Sequence, residues 1–172
     1  MSRMIFKGHI FDVIQKDMEV AGRSVVRDLV IHPGGAAISL VLEGKILLVS
    51  QSRAGAGGRQ LLEIPAGTID AGEQPIVTAM RELNEETGFT AKSLSLISAF
   101  YPTPGYDTEV IHVYKAHEPE KAAKRLAMDA TEDISLVWMD LQEAYAKVKD
   151  GTIQDGKTIL AIQHEILAAN GL

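Results

Sequence analysis

Three glutamates in the middle of the chain have the type and spacing that could bind a divalent cation. If residues 73–88 form a helix, Glu82, Glu85 and Glu86 stand at i, i+3 and i+4, so their carboxylates share one face. Like charges at i,i+4 destabilise a helix by about 0.2–0.5 kcal/mol per pair, whereas a bound Mg²⁺ or Mn²⁺ would turn that repulsion into binding. Taken alone, the three residues are also typical of a solvated acidic helix face. The neighbouring residues decide between these two interpretations.

The residues on either side of the glutamates complete a long spaced pattern. It matches the Nudix box, G-x5-E-x7-R-E-U-x-E-E-x-G-U with U aliphatic or aromatic, at every fixed position. The nine matching residues are Gly67, Glu73, Arg81, Glu82, Leu83, Glu85, Glu86, Gly88 and Phe89. Nine spaced positions are far more specific than a single glycine motif, so the chain resembles the Nudix hydrolases.

This resemblance implies a metal-dependent pyrophosphohydrolase. Glu82, Glu85 and Glu86 would bind Mg²⁺ (or Mn²⁺), with the backbone carbonyl of Ala66 as a further ligand, and Glu85 and Glu86 would belong to the catalytic centre. Divalent cations neutralise a diphosphate while water attacks phosphorus. An acidic protein could therefore recruit an anionic substrate through metals.

Three other residues of the box are expected to support the ligands. By the resemblance, Arg81 and Glu73 pair and hold the loop against the helix, which orients the metal ligands. Gly67 permits the sharp entry of the loop, where a side chain would obstruct the approach of a diphosphate.

Segments outside the box resemble the ADP-ribose pyrophosphatase group. Pro104 lies sixteen residues after Gly88, and residues 103–109 are similar to that group's Ser-Pro-Gly-Phe-x-x-Glu loop. Residues 62–67 resemble its Leu-Glu-Ile/Leu-Pro-Ala-Gly segment, and residues 51–53 resemble its Gln-x-Arg. The resemblance implies substrate contacts from Arg27, Arg53, Glu63, Pro104, Gly105 and Glu109. For Arg27, Arg53 and Glu109, a surface ion pair or a plain carboxylate at a strand edge is the alternative.

The expected catalytic base is Glu132. It lies in an acidic segment, residues 129–134, that resembles the loop delivering a glutamate over the metal site in this group. The implied reaction is hydrolysis of ADP-ribose to AMP and ribose 5-phosphate. Ser50 and Ser52 stand where the group often has larger residues, which leaves open another nucleotide sugar or nucleoside diphosphate derivative. A non-catalytic sensor of ADP-ribose is a further alternative, but all the box glutamates are present.

Composition excludes several other classes of protein. The 172 residues carry a net charge of −6, with a pI of about 5.3, and show no basic stripe of a nucleic-acid-binding protein. The absence of cysteine excludes disulfides, thiolate zinc sites and cysteine nucleophiles. The apolar stretches are strand-sized and no signal peptide is visible, so we expect a cytoplasmic protein without a membrane partner. The five histidines are scattered and are expected to be structural or surface residues.

The pattern of apolar residues and turns predicts an α/β fold of a single domain. Strands are predicted at 8–14, 24–32, 94–100, 110–115 and 134–139, with a hairpin of 36–42 and 45–51 and a glycine-rich connection at 53–60. Helices are predicted from Glu73 to Gly88, from Asp140 to near Gly151, and over 157–170. We expect an α/β/α Nudix sandwich with a mixed sheet over 36–172, after antiparallel strands over 1–35. By the resemblance, those strands are exchanged or packed across a homodimer.

Overall fold

The computed structural model describes residues 2–127 and 133–172. Within them the chain forms three sheets, three α-helices and one short 3₁₀ turn, Ala54–Ala56. The helices are α1 (Pro75–Thr87), α2 (Leu141–Lys149) and α3 (Gly156–Ala169). The strands are β1 (Ser2–Lys7), β2 (Asp12–Val20), β3 (Arg23–Ile31), β4 (Gly35–Ser39), β5 (Val41–Leu42), β6 (Lys45–Arg53), β7 (Arg59–Glu63), β8 (Ala66–Thr68), β9 (Phe89–Phe100), β10 (Ile111–Lys121) and β11 (Ile134–Asp140).

The N-terminal strands form an antiparallel sheet of their own, in the order β1-β2-β3. The predicted strand over 8–14 is misplaced, because Gly8 donates its N–H to Asp12 Oδ1 at 3.2 Å and residues 8–11 connect two strands instead. Ala21 and Gly22 make the predicted turn between β2 and β3, and both have a positive φ. A parallel bridge from Val30 to Asp107 links this sheet to the rest of the chain.

Two further sheets carry the core. One has the order β8-β4-β10-β9, in which β4 and β10 are parallel and the other pairs are antiparallel, so the predicted mixed sheet is confirmed. The second joins β11, β6 and β5, and β7 pairs with β6. The predicted strand over 36–42 is wrong as one element. It divides at Leu40 between the two sheets, and only Val41 and Leu42 pair with β6 in the expected hairpin.

The helices cover the sheets on two sides, which is the expected sandwich. Ala79 and Leu83 of α1 pack with Ile38 and Leu40, whereas α2 and α3 bury a second cluster that includes Leu48 and Val113. Fully burying an aliphatic side chain contributes about 1.5–3 kcal/mol, so these clusters fix where each helix lies. The described residues include no helix long and apolar enough to cross a membrane.

Local capping residues set the ends of the helices. Gly88 ends α1 in the left-handed conformation, with φ of 73°, and its N–H bonds to Asn84 O as the sequence predicts. Asp140 caps α2 by accepting from the N–H groups of Gln142 and Glu143 at 2.9 and 3.2 Å. Asp155 similarly caps α3. The first of these helices carries the acidic side chains of the candidate site.

Candidate active site

The three glutamates of α1 lie against the loop that enters at β8. Glu82 and Glu86 are buried, and the Glu85 side chain is 23% exposed. Glu86 Oε2 accepts the N–H of Ala66 at 3.1 Å. A Cβ placed on Gly67 would overlap the carboxylate of Glu82 and lie 2.7 Å from its Cγ. Glycine at this position therefore leaves room for the Glu82 side chain. From the sequence, we expected this glycine to leave room for a diphosphate instead.

Arg81 stands at the centre of the acidic group. Its Nη1 donates to Glu82 Oε1 at 2.6 Å and to Glu85 Oε2 at 3.0 Å, and its Nη2 donates to Glu73 Oε2 at 3.1 Å. The hydrogen bond to Glu73 and the neighbouring carboxylates raise the pKa of Arg81 in spite of burial. The bond to Arg81 likewise lowers the pKa of Glu73. The guanidinium therefore ties the loop to the helix and neutralises part of the acidic face.

The donor atoms of this face suit a hard divalent cation, but their present arrangement favours the guanidinium. Across 2–127 and 133–172, no three His, Cys, Asp or Glu side chains stand ready to hold a metal ion. Arg81 lies between Glu82 and Glu85. The carboxylates and the adjacent Ala66 backbone supply oxygen donors of the kind Mg²⁺ takes. A cation would have to displace Arg81 from two carboxylates.

A cavity of about 570 Å³ opens over this acidic face. It brings together seven of the residues expected at the site: Arg53, Ala66, Gly67, Arg81, Glu82, Glu85 and Glu109. Glu73 and Glu86 do not line it. His32 and Lys157 also line the cavity, although the sequence did not point to either as functional. The volume is within the range of small-molecule sites.

One end of the cavity is formed by cations held on a buried carboxylate. Arg53 donates from Nε and Nη2 to the two oxygens of Glu63 at 2.7 and 2.8 Å, and Lys157 Nζ lies 2.6 Å from Glu63 Oε2. Glu63 is only 2% exposed. Burial acts to raise the pKa of Glu63, but Arg53 and Lys157 outweigh it and lower the pKa to about 2. Both oxygens of Glu63 are thus engaged by protein, whereas sequence reasoning expected it to contact substrate.

His32 and Glu109 face each other at another part of the cavity wall. His32 Nδ1 accepts the N–H of Gly34 at 3.0 Å and lies 3.6 Å from Glu109 Oε1. Burial raises the pKa of Glu109, although His32 acts in the opposite direction. The sequence marks His32 only by its place in a His-Pro-Gly segment, residues 32–34. It has no second histidine at a spacing typical of a metal site. The wall therefore contains a polar pair that the histidine pattern alone did not indicate.

Four expected residues lie elsewhere. Arg27 is exposed on β3, and Pro104 and Gly105 are exposed in the loop before β10, and none of the three lines the cavity over the acidic face. The expected base, Glu132, lies outside the described residues. Ala127, the last described residue before that gap, lines the cavity over the acidic face.

The chain is similar to proteins of known family over nearly its whole length. A NUDIX domain model matches residues 32–162. An ADP-ribose pyrophosphatase of Bacillus subtilis (strain 168) is 40% identical over 162 residues, which is 93% of this chain and 87% of that protein. A methanol dehydrogenase activator of Bacillus methanolicus is 36% identical, over 95% and 89% of the two chains. A GDP-mannose pyrophosphatase of Yersinia enterocolitica is 34% identical, over 95% and 90%.

A solved structure supports the fold independently. The crystal structure of an ADP compounds hydrolase superposes with a TM-score of 0.83 at 22% identity, and covers 99% of this chain and 94% of that one. The complete Nudix box, the matched domain and the relatives agree. The chain belongs to the NUDIX family and is a Nudix hydrolase.

Proposed function

We propose that the chain hydrolyses ADP-ribose to AMP and ribose 5-phosphate in the presence of Mg²⁺ or Mn²⁺. The observation that carries the proposal is the cavity of about 570 Å³ in which Glu82 and Glu85 face the same space as Arg53. Carboxylates for a divalent cation and a guanidinium for phosphate oxygens are the groups a diphosphate requires. The 40% identical relative named as an ADP-ribose pyrophosphatase supports this choice of substrate.

The metal would be held by Glu82, Glu85, Glu86 and the backbone carbonyl of Ala66. When bound, it would neutralise charge on the diphosphate and lower the pKa of water. Arg81 would give up the bonds from Nη1 to Glu82 and Glu85. It would keep its bond to Glu73, because that bond comes from the other terminal nitrogen, Nη2. The loop would then remain fastened to α1 while the acidic face is free.

Substrate contacts would come from residues around the cavity. Arg53, braced by Glu63, would bind phosphate or ribose oxygens, and Glu109 would contact the terminal ribose. Pro104 and Gly105 would shape the loop that leads into Glu109. Glu132 would take the proton of the attacking water as the bond from phosphorus to the leaving phosphate oxygen breaks.

A second nucleotide sugar is the other candidate substrate. The relative from Yersinia enterocolitica is named as a GDP-mannose pyrophosphatase and is 34% identical over 95% of this chain. Ser50 and Ser52 stand where ADP-ribose pyrophosphatases often have larger residues, which leaves the choice between these two nucleotide sugars open. The diphosphate chemistry would be the same for both substrates.

A homodimer is part of the proposal. The three-stranded sheet and its β1–β2 connection carry apolar side chains that are exposed in the described part of the chain: Met4, Ile5, Phe6, Ile10, Phe11, Met18, Val20, Val26 and Ile31. Exposed apolar surface of this extent favours association. Packing of this sheet on a second copy would bring Arg27 towards the partner's cavity. Sedimentation of the purified protein as a monomer at micromolar concentration would remove the homodimer and the role of Arg27.

The experiment that tests the function is a panel of nucleoside diphosphate derivatives, assayed with Mg²⁺ and with Mn²⁺. ADP-ribose, GDP-mannose and other nucleotide sugars are compared by kcat/KM, and the products are separated and identified. We expect the highest kcat/KM with ADP-ribose, with AMP and ribose 5-phosphate as the products. A higher value with GDP-mannose would transfer the proposal to that substrate, and no cleavage in the panel would refute the proposed hydrolysis.

A further inference from the structure

Lys157 lies on a wall that two cavities share. Beside the cavity over the acidic face is a second one of about 440 Å³, lined by the glycine-rich turn after β6 and by Leu61. Arg53, Glu109, Ile111 and Lys157 line both. A molecule that extends from the acidic face into the second cavity must therefore pass these four side chains.

We propose that Lys157 binds a phosphate oxyanion of the nucleoside diphosphate substrate, side by side with Arg53, and that Glu63 holds both cations in position. The group esterified to that phosphate would continue into the second cavity. This inference rests on the proposed function, because it assigns the contact to a diphosphate substrate.

Both cations have unused donors where the substrate would pass. Lys157 Nζ has three N–H groups, of which two are directed to Glu63 Oε2 at 2.6 Å and Asp155 Oδ1 at 3.0 Å. Arg53 uses Nε and Nη2 for Glu63, and its Nη1 makes no hydrogen bond to the described part of the chain. At least one donor of each side chain is thus available to phosphate oxygens in the cavity.

The carboxylates of the group, Glu63 and Asp155, border the second cavity but are occupied by donors of the protein. Glu63 is 2% exposed, and both of its oxygens accept hydrogen bonds. Its lowered pKa keeps it ionised in the folded protein at neutral pH. Asp155 Oδ2 accepts the N–H of Thr158 at 3.0 Å and caps α3. The four charges sum to zero, so the group attracts anions mainly through direct, charge-assisted hydrogen bonds at short range.

A second lysine of the chain offers a matched control. Lys115 Nζ lies 2.6 Å from Glu165 Oε2, and Glu165 is 4% exposed, so the contact distance and the burial of the carboxylate nearly match those of Lys157 with Glu63, whereas the Lys115 side chain is more exposed than that of Lys157. This pair involves the same helix, because Glu165 belongs to α3, as Lys157 does. Lys115 lines neither cavity. Removing either lysine leaves one buried carboxylate without its ammonium partner, but only Lys157 can reach substrate.

The test compares Lys157→Met with Lys115→Met, each measured for KM and kcat on the substrate that the wild type cleaves and for stability in urea. We expect both variants to lose stability, and only Lys157→Met to show a KM raised by about 10- to 100-fold with kcat changed by less than about 3-fold. Lys157→Gln, whose amide can still donate to Glu63, replaces it if the methionine variant does not fold.

Several outcomes would overturn the inference. An unchanged KM in a folded Lys157 variant, or a loss confined to kcat, would leave Lys157 with a structural role only. An equal rise of KM in Lys115→Met would show that loss of either buried ion pair raises KM, and the effect would then not be specific to Lys157. Failure of the wild type to cleave any nucleoside diphosphate would instead refute the proposed function, so the two failures are distinguishable.

Discussion

Replacing Gly67 with alanine introduces one methyl group at the closest approach between the loop and α1. The added Cβ would overlap the Glu82 carboxylate and lie 2.7 Å from Glu82 Cγ, whereas carbon atoms in contact are about 3.5–4.0 Å apart. Glu82 is 8% exposed and its carboxylate is bonded to Arg81, so it cannot turn freely into solvent. Relief of the overlap therefore requires a shift of about 1 Å in the carboxylate or in the loop.

The expected consequences of Gly67→Ala are a loss of both stability and turnover. Overpacking of this kind costs about 1–3 kcal/mol in the free energy of unfolding, and a displacement of about 1 Å in a catalytic group lowers the rate by about 100-fold. Urea unfolding followed by circular dichroism measures the first, and product formation at saturating substrate and Mg²⁺ measures the second.

Gly156→Ala is the matched control for this substitution. Gly156 is exposed at the start of α3, has no positive φ, and a Cβ there meets no atom within 4 Å. Its stability and turnover should remain near those of the wild type. If Gly67→Ala also retained wild-type stability and turnover, the steric reasoning about Glu82 would be refuted.

Three further predictions concern single carboxylates. Glu85→Gln should abolish metal-dependent turnover while circular dichroism stays unchanged, and full activity would remove Glu85 from the site. The pKa of Glu63 is lowered to about 2 in the folded chain from an ordinary value of 4.5, so ionised Glu63 contributes about 3 kcal/mol above pH 4.5 that is lost as pH falls towards 2. Urea unfolding from pH 6 to 2 should therefore show a weaker pH dependence in Glu63→Gln, and an equal dependence would contradict the assignment. Asp140→Ala should lower the free energy of unfolding by about 1 kcal/mol through loss of the α2 cap, and Asp140→Asn should lose less.

Features encoded by neighbouring residues could be read from the sequence. The end of α1 at Gly88 and the start of α2 at Asp140 each depend on residues within one helical turn, and both positions were predicted. The acidic face of α1 follows from its 3.6-residue period in the same way. The same period does not fix burial, since Ile76 has helical spacing with Leu83 and yet is 44% exposed, whereas Leu83 is fully buried. Spacing identifies a helix face but does not state what covers it.

Features that depend on distant residues could not be read in this way. The apolar run over 36–42 gives no sign that Leu40 is the point where the chain passes from one sheet to the other, because either sheet accepts aliphatic residues. Lys157 lies 94 residues from Glu63, so its place beside Arg53 depends on how α3 docks. His32 reaches the cavity through the sheet order that sets β4 beside β8 and β10. These positions need the assembled fold.

Arg81 gives the acidic helix a counter-ion of its own. In many metalloproteins the ligands repel one another and only the metal offsets this repulsion, so removal of the ion unfolds the chain. Here the guanidinium bonds to Glu73, Glu82 and Glu85. Part of the repulsion among the carboxylates is therefore compensated whether or not the cell supplies the cation, although α1 keeps a net charge of −2 from one arginine and three glutamates. Chelation of the cation should therefore abolish hydrolysis without unfolding the protein. Adding the ion back should restore hydrolysis without a refolding step.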